Sequence, residues 1–100
     1  MKTYAIKNWD SFQHYKKRNP PWIKLHRAIL DDYAFCSLPD VVKAHLILLW
    51  AYASQNNGMV PDDVPFLERK LSITDLNLDL LVERGFLIDP ANANLRLARG

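Results

Sequence analysis

An apolar stretch near the middle of the chain constrains the fold more than any other feature. From Val41 to Ala53 the only polar residues are Lys43 and His45. A stretch of this length, with apolar residues at every helical spacing, predicts an α-helix that is buried on nearly every face. A helix buried in this way is the central helix of a hydrophobic core.

Residues that commonly cap helices mark both ends of this central helix. Ser37 and the acid three residues later have the spacing of a capping box, and Gly58 follows the last apolar residues. We therefore predict a helix near residues 38–56. In such a helix Leu49 and Trp50 are expected to be almost inaccessible to solvent.

The residues before the central helix predict a strand and one further helix. In "TYAIKNW", Tyr4 and Ile6 fall on one face of a short strand. In "NPPWIKLHRAILDD", Asn19 is a good N-cap and the proline after it is tolerated at the first helical position. The residues expected to form the buried face of this helix are Trp22, Leu25 and Ile29.

The residues after the central helix predict a helix-turn-helix near 62–85. Asp62 or Asp63 caps its first helix, Thr74 caps its second helix, and Gly85 ends it. Two strands, "FLID" and "LRLA", then follow and are joined by the polar turn "PANAN". Two strands directly after a helix-turn-helix predict a β-hairpin wing.

The order of these elements predicts a mainly α protein with a small β-hairpin, in the α+β class. The expected fold is a winged helix-turn-helix with an N-terminal strand and an extra helix. Residues 1–100 are expected to form one domain, in which a basic N-terminal extension, 1–36, packs on a winged-helix core, 37–100.

A resemblance to a known family rests on two adjacent segments, "NWDSFQHYKKRNPPWIKLHRAILDDYAF" and "LPDVVKAHLILLWAYASQNNGMVPDD". Together they resemble prophage-encoded proteins related to the N-terminal winged-helix domains of phage replication-initiation proteins and replisome organisers. The resemblance implies binding to double-stranded origin DNA, or assembly of a replication complex that loads a helicase.

Charge is distributed unevenly along the chain. Residues 1–30 contain seven Lys and Arg against one acid, whereas residues 31–100 contain six against ten. Five of the basic residues fall within "HYKKRNPPWIKLHR", residues 14–27. An acid-free segment of this kind is either a surface for polyanionic phosphate or a solvated charged stretch, and charge alone leaves both alternatives open.

The expected DNA-contacting residues are mostly cations that can neutralise phosphate. They are Lys16, Lys17, Arg18, Lys24, Arg27, Arg69, Lys70, Asn77 and Arg96. Asn77 is the one candidate for contact with an adenine base edge. The helix that should enter the major groove also carries Asp75, Asp79 and Glu83, which would repel phosphate. We therefore expect the N-terminal cations to supply most of the affinity.

Catalytic and metal-binding patterns are missing from the sequence. The three histidines and Cys36 lack metal-ligand spacing, so no metal and no cofactor are expected, and the chain is not expected to be an enzyme. The longest apolar run, Leu46–Ala53, is too short to cross a bilayer. A single cysteine excludes an internal disulfide and favours a reducing cytoplasm. The resemblance implies that this is the cytoplasm of a bacterial host, with nucleoid association if the chain binds DNA.

The function expected from these observations is DNA binding by a winged-helix domain of a phage or prophage replication-initiation-like protein. The alternative is a protein–protein interaction or oligomerisation module of a phage replication complex that does not bind DNA directly. The expected partners are accordingly double-stranded DNA, a replication or helicase-loading protein, or a second copy of the chain.

Overall fold

The computed structural model of the protein describes residues 2–9 and 21–90. In this part of the chain about half of the residues are helical, and three short strands form one antiparallel sheet. This combination confirms the predicted α+β class. No helix within the described ranges is long and apolar enough to span a membrane.

The N-terminal strand lies at the centre of the sheet. The strands are β1 (Thr3–Ile6), β2 (Met59–Pro61) and β3 (Leu87–Ile88), in the order β2–β1–β3. Tyr4 is opposite Val60, and Ile6 is opposite Leu87. Because alternate residues of a strand share one face, Tyr4 and Ile6 both enter the core. The prediction of a strand in "TYAIKNW" is confirmed.

Four α-helices and one 3-10 helix lie entirely within the described residues. They are the 3-10 helix (Arg27–Asp31), α1 (Tyr33–Cys36), α2 (Asp40–Ala53), α3 (Val64–Leu71) and α4 (Leu78–Glu83). Three of them begin at a side chain whose oxygen accepts a backbone N–H from the first turn, and these caps are Asp32 for α1, Asp63 for α3 and Asn77 for α4. Each cap satisfies a donor that has no partner within its helix.

The helix α2 is the predicted central helix, but it is not buried on every face. Leu46 and Leu49 are completely inaccessible, which confirms the expectation for Leu49. Trp50 is only partly buried, and Val41 and Leu48 are 58% and 38% exposed. The expectations of an inaccessible Trp50 and of burial on nearly every face were therefore wrong. A small domain has too little chain to cover all sides of a helix.

The start of α2 also differs from the prediction. Pro39 occupies the position before the first helical residue, and it provides no side-chain cap. Ser37 instead ends α1, where its hydroxyl donates to the carbonyl oxygen of Ala34 at 3.0 Å. The predicted capping box at Ser37 was wrong because the short helix α1 occupies that side chain.

The chain leaves α2 through a turn that requires glycine at position 58. Gly58 has a φ of 78°, and its N–H donates to the carbonyl oxygen of Ala53 at 2.9 Å. A Cβ placed on Gly58 would lie 2.6 Å from Cγ of Trp9. The indole of Trp9 thus packs directly on the glycine and joins the end of β1 to the end of α2.

The connection between α3 and α4 spans residues 72–77 and is longer than predicted. Thr74 does not cap the second helix, which starts later at Asn77. Leu76 and Leu78 are both buried. Side chains two residues apart lie on the same face of an extended segment but on different faces of a helix, so their burial is typical of a non-helical connection. Glu68 stabilises this connection, since its carboxylate accepts the N–H of Leu76 at 3.1 Å.

The end of α4 and the strand after it lie where they were predicted. Gly85 follows the helix with a φ of 83°, and the N–H of Phe86 donates to the carbonyl oxygen of Leu81 at 2.9 Å. The strand predicted from "FLID" is confirmed as β3, although its described partner is β1. The second predicted strand, "LRLA", lies outside the described residues, so the hairpin wing stays a prediction.

The helix predicted from Asn19 is wrong over its described part. Residues 22–26 have no regular secondary structure, and only the five-residue 3-10 helix follows them. Trp22 and Leu25, which were expected to be buried, are 55% and 53% exposed. Short helices in water depend on burial of an apolar face, and about half of each of these two side chains stays exposed to solvent.

Candidate nucleic-acid interface

The expected DNA-contacting residues divide into those that the structure describes and those that it does not. Four of them lie outside the described residues, namely Lys16, Lys17, Arg18 and Arg96. The other five are Lys24, Arg27, Arg69, Lys70 and Asn77. The first four stay predictions, and the geometry of the interface comes from the second group.

Arg69 and Lys70 lie together in the last turn of α3. Both are exposed, whereas Leu67 on the same helix is buried in the core. Cations at this position interact favourably with the partial negative charge at the C-terminal end of a helix. The helix therefore presents two adjacent positive charges to solvent. Their role as phosphate contacts stays a prediction.

Asn77 has a structural role that competes with base recognition. Its Oδ1 accepts the backbone N–H of Leu80 at 3.0 Å and so caps α4. Bidentate recognition of adenine by asparagine uses both the side-chain oxygen and the amide nitrogen. In addition, Asp75 and Asp79 are exposed on either side of Asn77. The start of α4 is consequently a poor surface for DNA.

Lys24 lies at the wall of a cavity of about 180 Å³. A second lysine, Lys7, lines the same cavity, and three aromatic side chains contribute to its walls, namely Phe35, Trp50 and Phe86. Phe35 and Trp50 are stacked, with ring centroids 6.2 Å apart and ring planes inclined by 25°. The structure thus places two cations beside an aromatic wall.

Sequence reasoning missed Lys7, although the residue directly follows β1 and belongs to the basic N-terminal third of the chain. Lys7 comes to the cavity because its backbone N–H donates to the carbonyl oxygen of Phe86 at 3.1 Å, which continues the pairing of β1 with β3. Arg69, Lys70 and Asn77 are not among the residues that line this cavity. Of the five described candidates, the structure places Lys24 at the cavity and Arg69, Lys70 and Asn77 at the helices α3 and α4. The remaining candidate, Arg27, begins the 3-10 helix and does not line the cavity.

Lys2 and Lys43 each lie beside an acid in the structure. Nζ of Lys2 lies 3.3 Å from a carboxylate oxygen of Asp89, and Nζ of Lys43 lies 3.5 Å from a carboxylate oxygen of Asp40. An acid beside a lysine lowers the gain from a phosphate contact, since the phosphate then also meets the acid. These two lysines are accordingly not part of the candidate interface.

No protein-family model, no curated protein and no solved structure matches this chain. The resemblance to phage replication proteins therefore stays a prediction. Within residues 2–9 and 21–90, no group of three His, Cys, Asp or Glu side chains is placed to hold a metal ion. The function is therefore inferred from the positions of the chain's own charged and aromatic residues.

Proposed function

We propose that the chain is a DNA-binding winged-helix domain of a phage replication-initiation-like protein in the bacterial cytoplasm. It contacts duplex DNA mainly through phosphate groups and performs no catalysis. The winged-helix assignment is supported by the order of α2, β2, α3, α4 and β3, which places a strand before a pair of helices and another strand after it.

The observation that carries this proposal is that the chain contacts the folded core both before and after the basic segment, residues 14–27. At one end, the N–H of Lys7 donates to the carbonyl oxygen of Phe86, next to β3. At the other end, Ile29 of the 3-10 helix packs against the core. Residues 16–18, with three cations, lie between these two points of the chain. A segment anchored at both ends loses less conformational freedom on binding than a free tail does.

The acids of α4 decide which residues provide the affinity. Asp79 lies in the first turn of that helix and Glu83 near its end, and both are exposed. Because like charges repel, α4 does not approach phosphate closely. Binding by the cations elsewhere is largely independent of sequence, with a dissociation constant on the order of 10⁻⁴ to 10⁻⁶ M near physiological salt.

The test is duplex DNA binding by the purified chain at several salt concentrations. Three to five phosphate contacts give a slope of log affinity against log salt of roughly −3 to −5. Replacing residues 16–18 by alanine should flatten this slope by about 2 to 3. Asn77→Ser, which keeps a capping oxygen, should leave the affinity unchanged. Lys43→Ala removes one positive charge outside the candidate interface and is the control for a change in net charge; it should leave the slope nearly unchanged.

Two results would contradict this proposal. Loss of binding in Asn77→Ser with an unchanged triple variant would show that α4 recognises DNA despite its acids. Absence of salt-dependent binding in the unmodified chain would leave the second candidate function, a protein-interaction or oligomerisation module of a replication complex. The observation that favours this second function is the exposure of large apolar side chains, 77% for Leu30 and 86% for Tyr33.

A further inference from the structure

The cavity beside Lys24 has the size of a site for one ring system. Its volume is about 180 Å³. Pockets for drug-sized ligands are roughly 300–1,000 Å³, so this cavity accommodates only a small group. It lies between the turn after β1 and the segment around the 3-10 helix, and both of these regions are connected to the core.

The walls of the cavity favour a planar ring. Phe35 and Trp50 form a stacked pair, and Phe86 is a third aromatic side chain at the cavity. Planar rings gain free energy by stacking on aromatic faces, and this interaction is the main source of affinity for single bases in nucleic-acid-binding proteins. Asn8, also at the cavity, carries donors and an acceptor of the kind that pair with the polar edge of a base.

The charges around the cavity favour an anion. Lys7 and Lys24 are two cations, and among the described residues that line the cavity Asp32 is the one acid. Asp32 already accepts the N–H of Phe35 at 3.3 Å as the cap of α1. Ammonium groups form strong charge-assisted hydrogen bonds with phosphate. The cationic rim, defined as Lys7 and Lys24, is therefore suited to a phosphate next to the ring.

We propose that this cavity binds a nucleotide, with the base against the aromatic wall and the phosphate at the cationic rim. The same chemistry is offered by a free mononucleotide and by one nucleotide of a single strand. This inference goes beyond duplex binding, because a paired base in a duplex is stacked between its neighbours and is not available to such a cavity.

An acidic peptide with an aromatic anchor is the competing occupant. Such an anchor would fill the aromatic part of the cavity, as anchors do at protein interfaces. A phenylalanine anchor, however, has no polar edge and a tryptophan anchor has one N–H donor, whereas a base offers several donors and acceptors that can pair with Asn8. The combination of an amide, a cationic rim and an aromatic wall therefore fits a nucleotide better.

The first experiment compares four probes by NMR at constant ionic strength. They are adenosine 5′-monophosphate, adenosine, ribose 5-phosphate and a short oligothymidylate. Adenosine 5′-monophosphate should shift the Trp50 indole and the amides of Lys7 and Asn8. It should bind about tenfold more tightly than adenosine, because a hydrogen bond to a charged group has roughly this effect. Ribose 5-phosphate should bind more weakly than adenosine 5′-monophosphate because it has no ring to stack.

Two variants and a control test the position of each group. Lys7→Ala should weaken binding of adenosine 5′-monophosphate about tenfold and leave adenosine unaffected. Ala28→Phe, at an exposed residue that lines the cavity, should fill the space and weaken both ligands. Lys70→Ala removes the same charge on α3, away from the cavity, and should leave nucleotide binding unchanged while it weakens duplex binding.

The outcomes separate this inference from the proposed function. If the oligothymidylate binds much more tightly than the mononucleotide, the source is single-stranded nucleic acid, and comparable affinities indicate a free nucleotide. The inference fails if no mononucleotide binds, if the shifts lie elsewhere, or if a folded Lys7→Ala variant binds normally. It also fails if a peptide of glutamates around one tryptophan binds this cavity more tightly than the nucleotide. Duplex binding with its salt slope can persist in each of these cases.

Discussion

Two stretches of this chain are similarly rich in apolar residues, and only one of them is buried. In α2, Leu46 and Leu49 are completely inaccessible to solvent. In the segment from Trp22 to Leu30, the large side chains of Trp22, Leu25 and Leu30 are 55%, 53% and 77% exposed. Apolar content is thus comparable, whereas the surface available for packing is not.

The difference follows from what lies next to each stretch. The buried residues of α2 share one core with β1, β2 and the two helices after them. In the segment from 22 to 30, Ile29 alone is among the residues that pack against this core. Its lysine at position 24 and Leu25 line the cavity instead. One stretch therefore provides the stable framework, and the other forms the wall of a candidate site.

Hydrogen exchange should show the largest contrast between these two regions. Amides in the middle of α2, such as that of Leu49, should exchange only through global unfolding, which costs about 5–15 kcal/mol in domains of this kind. Amides of residues 22–28 should exchange through small local openings, since the segment has no sheet or α-helix. Equal protection in both regions would show that the segment belongs to the cooperative framework.

Alanine substitution tests the same contrast through stability. Leu49→Ala should lower the free energy of unfolding by about 2–5 kcal/mol, because it leaves a cavity in a completely buried site. Leu25→Ala, the matched control in the other stretch, should change it by less than about 0.5 kcal/mol. Urea denaturation of both variants measures the two effects. A cost for Leu25→Ala as large as that for Leu49→Ala would contradict the assignment of Leu25 to the surface.

Two glycines allow a finer test at the end of the framework. Gly58 and Gly85 both have positive φ angles, 78° and 83°. A Cβ on Gly58 would collide with Trp9, whereas a Cβ on Gly85 meets nothing within 4 Å. Gly58→Ala should therefore cost about 2–4 kcal/mol, which combines backbone strain with overpacking.

Gly85→Ala should lower the free energy of unfolding by only about 1 kcal/mol, because it strains the backbone without a steric collision. Thermal or urea unfolding of the two variants gives both values. If the two substitutions lower the free energy of unfolding equally, the contact between Trp9 and Gly58 does not contribute to stability. In that case β1 is held in place by its pairing with β2 and β3.

Local patterns in the sequence correctly predicted the elements that are determined by residues close together in the chain. Alternation at Tyr4 and Ile6 predicted β1, and Asp63 and Gly85 marked helix ends correctly. The same patterns failed where neighbours decide. The apolar residues Trp22 and Leu25 have helical spacing, but about half of each side chain stays exposed and no helix forms over residues 22–26. Thr74 is a residue type that commonly caps helices, but the cap of α4 is Asn77, three residues later.

The candidate site was less accessible to sequence reasoning than the fold. Clustered charge indicated Lys24, but its neighbours at the cavity come from distant parts of the chain, including Lys7, Trp50 and Phe86. They meet because β1 lies between β2 and β3, an arrangement that no local pattern contains. Asn77 was proposed to contact a base, and its capping hydrogen bond depends on the position where α4 starts.

The smallest expected effect concerns an ion pair that fastens the ends of two framework strands. Lys2 precedes β1 and Asp89 follows β3, and their charged atoms lie 3.3 Å apart. The hydrogen bond from Lys2 to Asp89, together with the nearby Tyr4, raises the pKa of Lys2 above its ordinary value of 10.5. Because the folded state favours the charged ammonium, the pair contributes to stability in full from neutral pH up to the ordinary pKa of 10.5. This contribution is lost as the pH rises through the raised pKa of Lys2.

Lys2→Met should consequently be less stable than the unmodified chain near neutral pH, and the difference should disappear at a pH above that raised pKa. The difference between the two proteins measures the contribution of the Lys2 charge, which acts on Asp89 and on Tyr4. Lys43→Met is the matched control, since its partner Asp40 is fully exposed and its ion pair is screened by water. The effect at Lys2 should be small, because more than half of its side chain is exposed. A difference that stays constant up to the highest pH would show that Lys2 stabilises the strand ends through its aliphatic stem and not through its charge, since the contact of Nζ with the Tyr4 ring at 5.2 Å also requires the ammonium.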